Sequence, residues 1–420
     1  MIALAGALAV SYLPHILWGE FLYEDLAWIV NTEQGQLHPG WHPRGFSEAV
    51  WLWQWQLSRT PMLFHAVSVA LHVVVAVLAG VFARRLGLSA AGAWIVVTIV
   101  LLHRLGTETV SYVAQQGELL AAIGVIGACV LATCRWWTLR IATGIIACVA
   151  FGILAKDSAV VVLVLVPAVI AYTTPALAVL PAAVSALLLM FGVNQFGGLS
   201  ALVNLGEDGI ATVSAVDWLA IQSAAVVRTF GLLVIPYGLT VDYDYDILPM
   251  ALRWCAVSAL AGLAVVTWLI RRRCRLEAFS VFCLLVIAAP RLIVQTPRSN
   301  FNDHQAYLFL PFFGMLVASV WERVCVGRGA EAVRDYPLSA SHTGALLSNL
   351  REGTSSTVQA RAGHASTTIK PAWLQRALET FSRLVCSSGR PVLRSASTWC
   401  ARNKSQSVCC ERATVARSGS

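Results

Sequence analysis

Charge is what this sequence has least of. Only 12% of its 420 residues are Asp, Glu, Lys or Arg, about half the usual share in a soluble domain. With 57% hydrophobic residues and a mean hydropathy of +0.69, too little polar surface remains to cover a globule in water. A soluble enzyme and a disordered chain are both excluded on that ground. A disulfide framework is missing as well. Seven of the 11 cysteines, at 129, 134, 148, 255, 274, 283 and 325, lie in or beside apolar segments, where a thiol packs as a small hydrophobe. Cys386, Cys400, Cys409 and Cys410 have no metal-ligand spacing. A basic body is absent too. Residues 1–330 hold 18 Lys and Arg against 17 Asp and Glu, a net of +1, while residues 331–420 hold 12 against 5, a net of +7. The excess charge belongs to the tail, and no nucleic-acid partner follows from it.

What is present is a series of long apolar runs. A membrane helix needs about 20 mostly apolar residues. Runs at 1–18, 62–83, 88–105, 118–134, 138–155, 158–173, 176–195, 250–270, 277–296 and 305–322 are the candidate spans. The first lacks a basic leader and a small-residue cleavage site, and reads as a retained anchor. Arg84-Arg85, Arg135 with Arg140, Arg271-Arg272-Arg273 with Arg275, and Arg323 with Arg328 all fall on one side if alternate spans are taken in turn. The positive-inside rule makes that side the cytoplasm, with both termini inside. Residues 217–236 are apolar enough to consider, yet contain Asp217, Gln222 and Arg228. They are expected to form an interfacial or re-entrant helix on the outer side. In this topology all carboxylates of residues 1–330 except Glu277 and Glu322 reach outer loops or outer ends of spans. Wet outer loops explain this plainly; an outward-facing site explains it more sharply.

From about 329 the composition turns to Ser, Thr, Arg and Ala, with one short amphipathic stretch near 373–385. Such a composition buries too little surface to offset chain entropy. Residues 329–420 are expected to be a disordered cytoplasmic tail behind a membrane domain of residues 1–328.

The first outer loop, 19–61, is too long for a mere connector. It opens Gly19-Glu20-Phe21-Leu22-Tyr23-Glu24-Asp25. Adjacent carboxylates repel, which raises one pKa and makes proton acceptance available. A cation site and a solvated loop start are the alternatives. Trp41, Trp51, Trp53 and Trp55 follow. Interfacial Trp normally anchors the membrane, and sugar stacking is the functional alternative. After the third run come His103 and Glu108, then Glu118. Ionisable groups at a membrane edge tend to face a polar cavity, whereas a lone His is more often a hydrogen-bonded structural residue. Lys156-Asp157 reads as a local ion pair or cap. Asp242, Asp244 and Asp246 alternate with Tyr, sharing one face of an extended backbone; a solvated loop competes there with a Ca²⁺ or Mg²⁺ site. Arg291, Arg298 and His304 suit an anionic phosphate.

The order of these pieces resembles the GT-C membrane glycosyltransferases, most closely the protein O-mannosyltransferase-like proteins that carry tetratricopeptide repeats, and their bacterial relatives. The opening Gly-Glu-Phe-x-Tyr-acid-Asp stands at 19–25 and continues to Ile29 and Asn31. The family's His-Pro-x-x-Thr-Glu-x-Val loop stands as His103-Arg104-Leu105-Gly106-Thr107-Glu108-Thr109-Val110, followed by Gln116-Gly117-Glu118-Leu119-Leu120. Ser-Lys-Glu appears as Ala155-Lys156-Asp157, and Pro-x-Gly-Leu-x-x-Asp-Tyr-Asp runs from Pro236 to Asp244. The closing Tyr-Leu-Tyr-Leu-Pro-x-x-Gly appears at 307–314. The departures are Glu24 for the first Asp of the pair, Arg104 for Pro, Gln116 for Arg, and no Arg before Tyr307. No repeat of about 34 residues follows.

The resemblance implies an all-α polytopic membrane protein, a GT-C-type bundle of about 10 transmembrane helices with a long first outer loop. It implies inverting transfer of a sugar from a polyprenyl-phosphate carrier to a protein, glycan or lipid acceptor, at a bacterial inner membrane with the site facing the periplasm. Glu24, Asp25 and Glu108 are the implied catalytic acids. Lys156, Arg298, His304 and Glu118 are the implied substrate-binding residues. No cofactor is required, though the acids would accept a divalent cation. Two rivals use the same outward acids differently: a polytopic transporter or lipid flippase, and a non-catalytic relative. A transporter predicts inverted repeats with broken helices in matching halves, and none is visible in the sequence.

Overall fold

The computed structural model describes residues 6, 10–22, 25–34, 44–134, 138–195, 214–239, 248–293 and 303–334. These all belong to one unit, Met1–Pro337. The expected tail lies outside the described residues from 335 onward. Among the described residues every regular element is a helix.

The chain enters through α1 (Leu13–Trp18) and two loop helices, α2 (Asp25–Glu33) and α3 (Gly45–Leu57). The long α4 (Pro61–Arg85) follows, with Pro at the first helical turn where its missing N–H is harmless. Next come α5 (Ala90–Leu102), α6 (Leu105–Ser111), α7 (Gln116–Ala132), α8 (Leu139–Ala155) and α9 (Val162–Thr173). The last set is α10 (Val179–Gln195), α11 (Ala215–Val234), α12 (Met250–Ile270), α13 (Arg275–Ile293) and α14 (Phe309–Arg334).

Among the described residues, five helices are long and apolar enough to cross a membrane: Pro61–Arg85, Val113–Ala132, Val216–Val234, Met250–Ile270 and Arg275–Ile293. A sixth is reached if α5 and α6, bent by 57°, count as one span. This is a membrane protein with five or six such helices among its described residues; the expected span at 1–18 lies partly outside them. Two of the expected spans form short helices. The runs at 138–155 and 158–173 fold as Leu139–Ala155 and Asp157–Thr173, interrupted at Lys156. Seventeen residues rise only about 25 Å, short of a bilayer core of about 30 Å. The segment expected to lie at the interface, 217–236, forms a continuous helix within the span-capable set. Two of its polar residues are accommodated locally: Asp217 accepts from the capping Ser214 hydroxyl at 2.7 Å, and Arg228 donates to Gly238 O at 2.8 Å, while Gln222 is buried with no hydrogen-bond partner among the described residues.

The core runs between α4, α5, α7, α9, α13 and α14, where Phe82, Leu101, Ile126, Leu165, Phe309 and Phe312 are fully buried. Helices α7 and α8 form the tightest pair because both present glycine at the crossing. A Cβ on Gly124 would stand 2.7 Å from Gly152 Cα and 2.7 Å from Cys148 O. At the far end of the bundle, Glu322 of α14 accepts from Ser89 N at 2.8 Å at the start of α5, and Arg323 pairs with Glu277 at 2.8 Å. These two acids, set apart from the others in the sequence, thus tie helix ends together. A second apolar cluster of Ile29, Trp51, Trp55, Phe64 and Val113 lies under the first loop.

Candidate functional site

The first loop, the α6–α7 connection and the α8–α9 break meet at one end of the bundle. Asp25 begins α2 and is 1% exposed. Its Oδ2 accepts from Leu22 N at 3.0 Å and Val113 N at 3.2 Å, and its Oδ1 from Ala114 N at 2.7 Å. One carboxylate therefore joins its own loop to a backbone turn 88 residues farther along. Burial pushes its pKa up from 3.8 to about 6, against the three N–H groups, which hold it down. Burial wins because three neutral donors replace full hydration only in part.

Directly after that turn, Gln116 is wholly buried. Its amide nitrogen lies 3.2 Å from Gln54 Oε1, 3.0 Å from Phe64 O and 3.1 Å from Ser68 Oγ, and its oxygen accepts from Gln54 Nε2 at 2.8 Å. The Gln at this position of the motif is thus a buried strut between α3, α4 and α7, satisfied by uncharged partners.

Two residues on, Glu118 meets Lys156. The Nζ–Oε1 distance is 3.1 Å, with side chains 9% and 4% exposed. It is an ion pair rather than an aligned hydrogen bond. Lys156 also donates to Gln115 Oε1 at 2.6 Å, and Glu118 Oε2 accepts from the Ser158 hydroxyl at 2.7 Å. Burial draws the Lys156 ammonium below the ordinary lysine value, while Glu118 pulls it back up. Arg291, near the end of α13, lies within electrostatic range of Glu118, Asp157 and Arg44. Close backbone approach makes this junction. A Cβ on Gly117 would stand 2.9 Å from Ser47 Oγ and 3.2 Å from Ala155 O, and Ser47 itself donates to Ala155 O at 2.5 Å.

A cavity of about 160 Å³ opens between these pieces. Arg44, Ser47 and Trp51 form one wall, the 112–117 turn the second, and Lys156 the third. Trp51 is 2% exposed, and its Nε1 has no hydrogen-bond partner among the described residues.

No family model, curated protein or solved structure matches this chain.

The residues singled out by sequence are distributed as follows. Asp25, Glu118 and Lys156 come together around the 113–118 turn. Glu108 sits half-buried on α6. Glu24, Arg298, Trp41 and the three Asp at 242–246 lie outside the described residues, and His304 is placed by its backbone alone, in the turn Asp303–Ala306. Among the described residues no three His, Cys, Asp or Glu side chains are grouped to hold a metal ion. His103 is structural: Leu105 N donates to its Nδ1 at 3.2 Å, and its Nε2 reaches Leu233 O at 3.0 Å, locking the bend between α5 and α6.

The tryptophans correct the anchoring expectation. Trp51 and Trp55 are buried and only Trp53, at 54%, is well exposed. Trp55 Nε1 donates to Glu33 Oε2 at 2.9 Å. Residues four apart share a helix face, so the spacing of 51 and 55 carried that signal once α3 is taken as a helix. Arg44, Ser47 and Gln54 had no sequence signal of their own. Nor did His72, which is wholly buried; the Tyr307 hydroxyl lies 2.6 Å from its Nδ1, and Tyr12 lies 3.3 Å from its Nε2. This polar ladder straps the first helical segment and the closing motif to α4.

Proposed function

We propose that the protein is an integral-membrane glycosyltransferase that moves a sugar from a polyprenyl-phosphate carrier to a protein, glycan or lipid acceptor on the outer, periplasmic face. One observation carries the reading. Three of the pieces named by the family resemblance, at 19–25, 115–120 and 155–157, meet at one site, with Asp25 bonded to the 113–114 backbone just before the second piece and Glu118 paired to Lys156.

In this reading Asp25 is a positioning residue. Its oxygens are occupied by backbone N–H groups, which fixes the loop that carries Glu24. Glu24 takes the acceptor proton as the acceptor oxygen attacks the anomeric carbon. The bond from that carbon to the phosphate oxygen breaks, and its electron pair stays with the departing phosphate. Inversion follows from attack opposite the leaving group. Positive charge from Lys156, Arg44 and Arg291, with Arg298 and His304 added by the resemblance, stabilises the released lipid phosphate. A lipid-linked donor is reached from within the bilayer, which suits a site at the end of a helical bundle.

The test uses membranes containing the protein, a panel of polyprenyl-phosphate and polyprenyl-diphosphate sugars, and the variants Glu24→Gln and Asp25→Asn. The expected result is sugar transfer in the wild type, loss in Glu24→Gln, and partial loss in Asp25→Asn. Unchanged transfer in both variants would refute the assigned site. Transport of the lipid without sugar transfer would replace the reading with a flippase.

A further inference from the structure

We infer that the turn between α12 and α13 holds the phosphate of an anionic phospholipid headgroup, recognised by arginines that the fold gathers there. The inference concerns the far end of the bundle and does not depend on the transferase reading.

The sequence supplies most of the charge. Arg271, Arg272, Arg273 and Arg275 all fall in the segment 271–275. The fold adds Arg323 from α14, whose Nη1 lies 2.9 Å from Cys274 Sγ and whose Nη2 lies 2.8 Å from Glu277 Oε1. Glu277 is thus committed to Arg323, and the neighbouring Glu322 is turned to Ser89. Guanidinium charge exceeds carboxylate charge at this turn, and arginine does not shed its proton to relieve the excess.

The arginines divide into two kinds. Arg271 and Arg275 are fixed. The Arg271 guanidinium lies 3.3 Å from the centroid of the Trp268 ring and donates to Trp268 O. That of Arg275 lies 4.4 Å from the Tyr172 ring centroid and donates to Tyr172 O at the end of α9. Both keep N–H groups to spare, because a guanidinium carries five. Arg272 and Arg273 are exposed and have no side-chain partner among the described residues. Fixed guanidiniums beside uncommitted ones suit a phosphate, whose oxygens accept several charge-assisted hydrogen bonds at once.

Position decides in favour of a lipid. Helix α12 has 21 residues and rises about 31 Å, which matches a bilayer core of about 30 Å. Arg271 therefore follows the helix at the membrane boundary. Only 17% of the apolar stretch of α12 is buried within the protein, so lipid lines this helix up to the turn. Trp268 is 64% exposed, at the level where interfacial tryptophans meet headgroups. Acyl chains pack along the exposed Val265, Val266 and Leu269, and the headgroup above them reaches the arginines. A soluble phosphate gains no such apolar contact.

The experiment uses the full-length protein in phosphatidylcholine nanodiscs. A trace of diazirine-bearing phosphatidylglycerol is added to one sample, and diazirine-bearing phosphatidylcholine to another. After photolysis and chymotryptic digestion, mass spectrometry reads the lipid adducts on residues 265–276. The anionic probe is expected to label this segment roughly 25-fold more than the zwitterionic one, about fivefold for each exposed arginine. Arg272→Gln and Arg273→Gln should each cut the preference about fivefold, and the double variant should bring it within a few-fold of parity. Arg140→Gln, which removes an exposed arginine from the start of α8, should leave it unchanged.

Equal labelling by the two probes, or a preference that persists in the double variant, would overturn the inference. So would an equal loss in Arg140→Gln, which would credit overall positive charge rather than this turn. Displacement of the anionic probe by inorganic phosphate would assign the turn to a soluble anion and overturn it as well. Should the double variant not fold, as judged by thermal unfolding, the two single variants decide the question. None of these readouts involves sugar transfer, so this inference and the transferase reading fail separately.

Discussion

Replacing Asp25 by alanine removes the acceptor for three backbone N–H groups at once. Leu22, Val113 and Ala114 donate to it at 3.0, 3.2 and 2.7 Å, and each buried N–H left unpaired costs about 1–3 kcal/mol. An opposing effect returns part of this. The rise in the Asp25 pKa from 3.8 to about 6 means that its charged form sits in the fold at a disadvantage of roughly 3 kcal/mol, at 1.36 kcal/mol per unit. Alanine buries no charge. At the middle of that range, about 6 kcal/mol for three donors, the net loss for Asp25→Ala is about 3 kcal/mol. Asp25→Asn behaves differently. Its carbonyl oxygen keeps the two bonds to Leu22 and Val113, while its NH₂ faces the Ala114 N–H; relief of the charge offsets the lost bond to within about 1 kcal/mol. The assay is hydrogen exchange of the peptide spanning 108–118, followed by mass spectrometry. The 113–114 amides should exchange at least about thirtyfold faster in Asp25→Ala and only a few-fold faster in Asp25→Asn. Unchanged exchange in Asp25→Ala, or equal acceleration in both variants, would refute the clamp.

Other outcomes follow from the same structure. Asp25 holds its proton more tightly folded than unfolded, so its contribution to stability is full below about pH 4 and is lost as pH rises through about 6; thermal unfolding from pH 4 to 7.5 should show this slope in wild type and lack it in Asp25→Asn. Removing either member of the Glu118–Lys156 pair alone, by Glu118→Gln or Lys156→Met, leaves a buried charge or its partners unmatched and should cost about 3–5 kcal/mol, whereas the double variant should recover most of that loss in a thermal-unfolding cycle. Gly124→Ala should destabilise by about 1–3 kcal/mol through overpacking against Gly152 and Cys148. Gly127→Ala, whose Cβ would meet only Cys148 Sγ at 3.4 Å, should be nearly neutral in the same measurement.

Much of the membrane body was legible because continuous apolar runs have few other destinations. The runs at 62–83, 250–270 and 277–296 became α4, α12 and α13 with ends shifted by a few residues. The break at Lys156 falls between the runs 138–155 and 158–173 that the sequence already separates, whereas length along the sequence does not reveal the 57° bend after Leu102. Residues 217–236 form one continuous helix despite their polar side chains, because Asp217 accepts from the capping Ser214 hydroxyl and Arg228 reaches back to a carbonyl. At the site, the sequence marked Asp25, Glu118 and Lys156 separately. It held no sign that Glu118 and Lys156 would pair with each other, since that depends on how closely α7 and α8 cross at their glycines. It also offered the wrong environment for Trp51, because a helical Trp faces lipid or core according to what the next loop packs against, and that is decided in three dimensions.

The most direct test of the transferase account follows the lipid pool itself. Purified protein, reconstituted with a series of polyprenyl-phosphate and polyprenyl-diphosphate sugars, should convert one donor into free polyprenyl phosphate or diphosphate as the sugar appears on an acceptor, with both products absent in Glu24→Gln. Folded wild-type protein that leaves every donor intact would contradict the account.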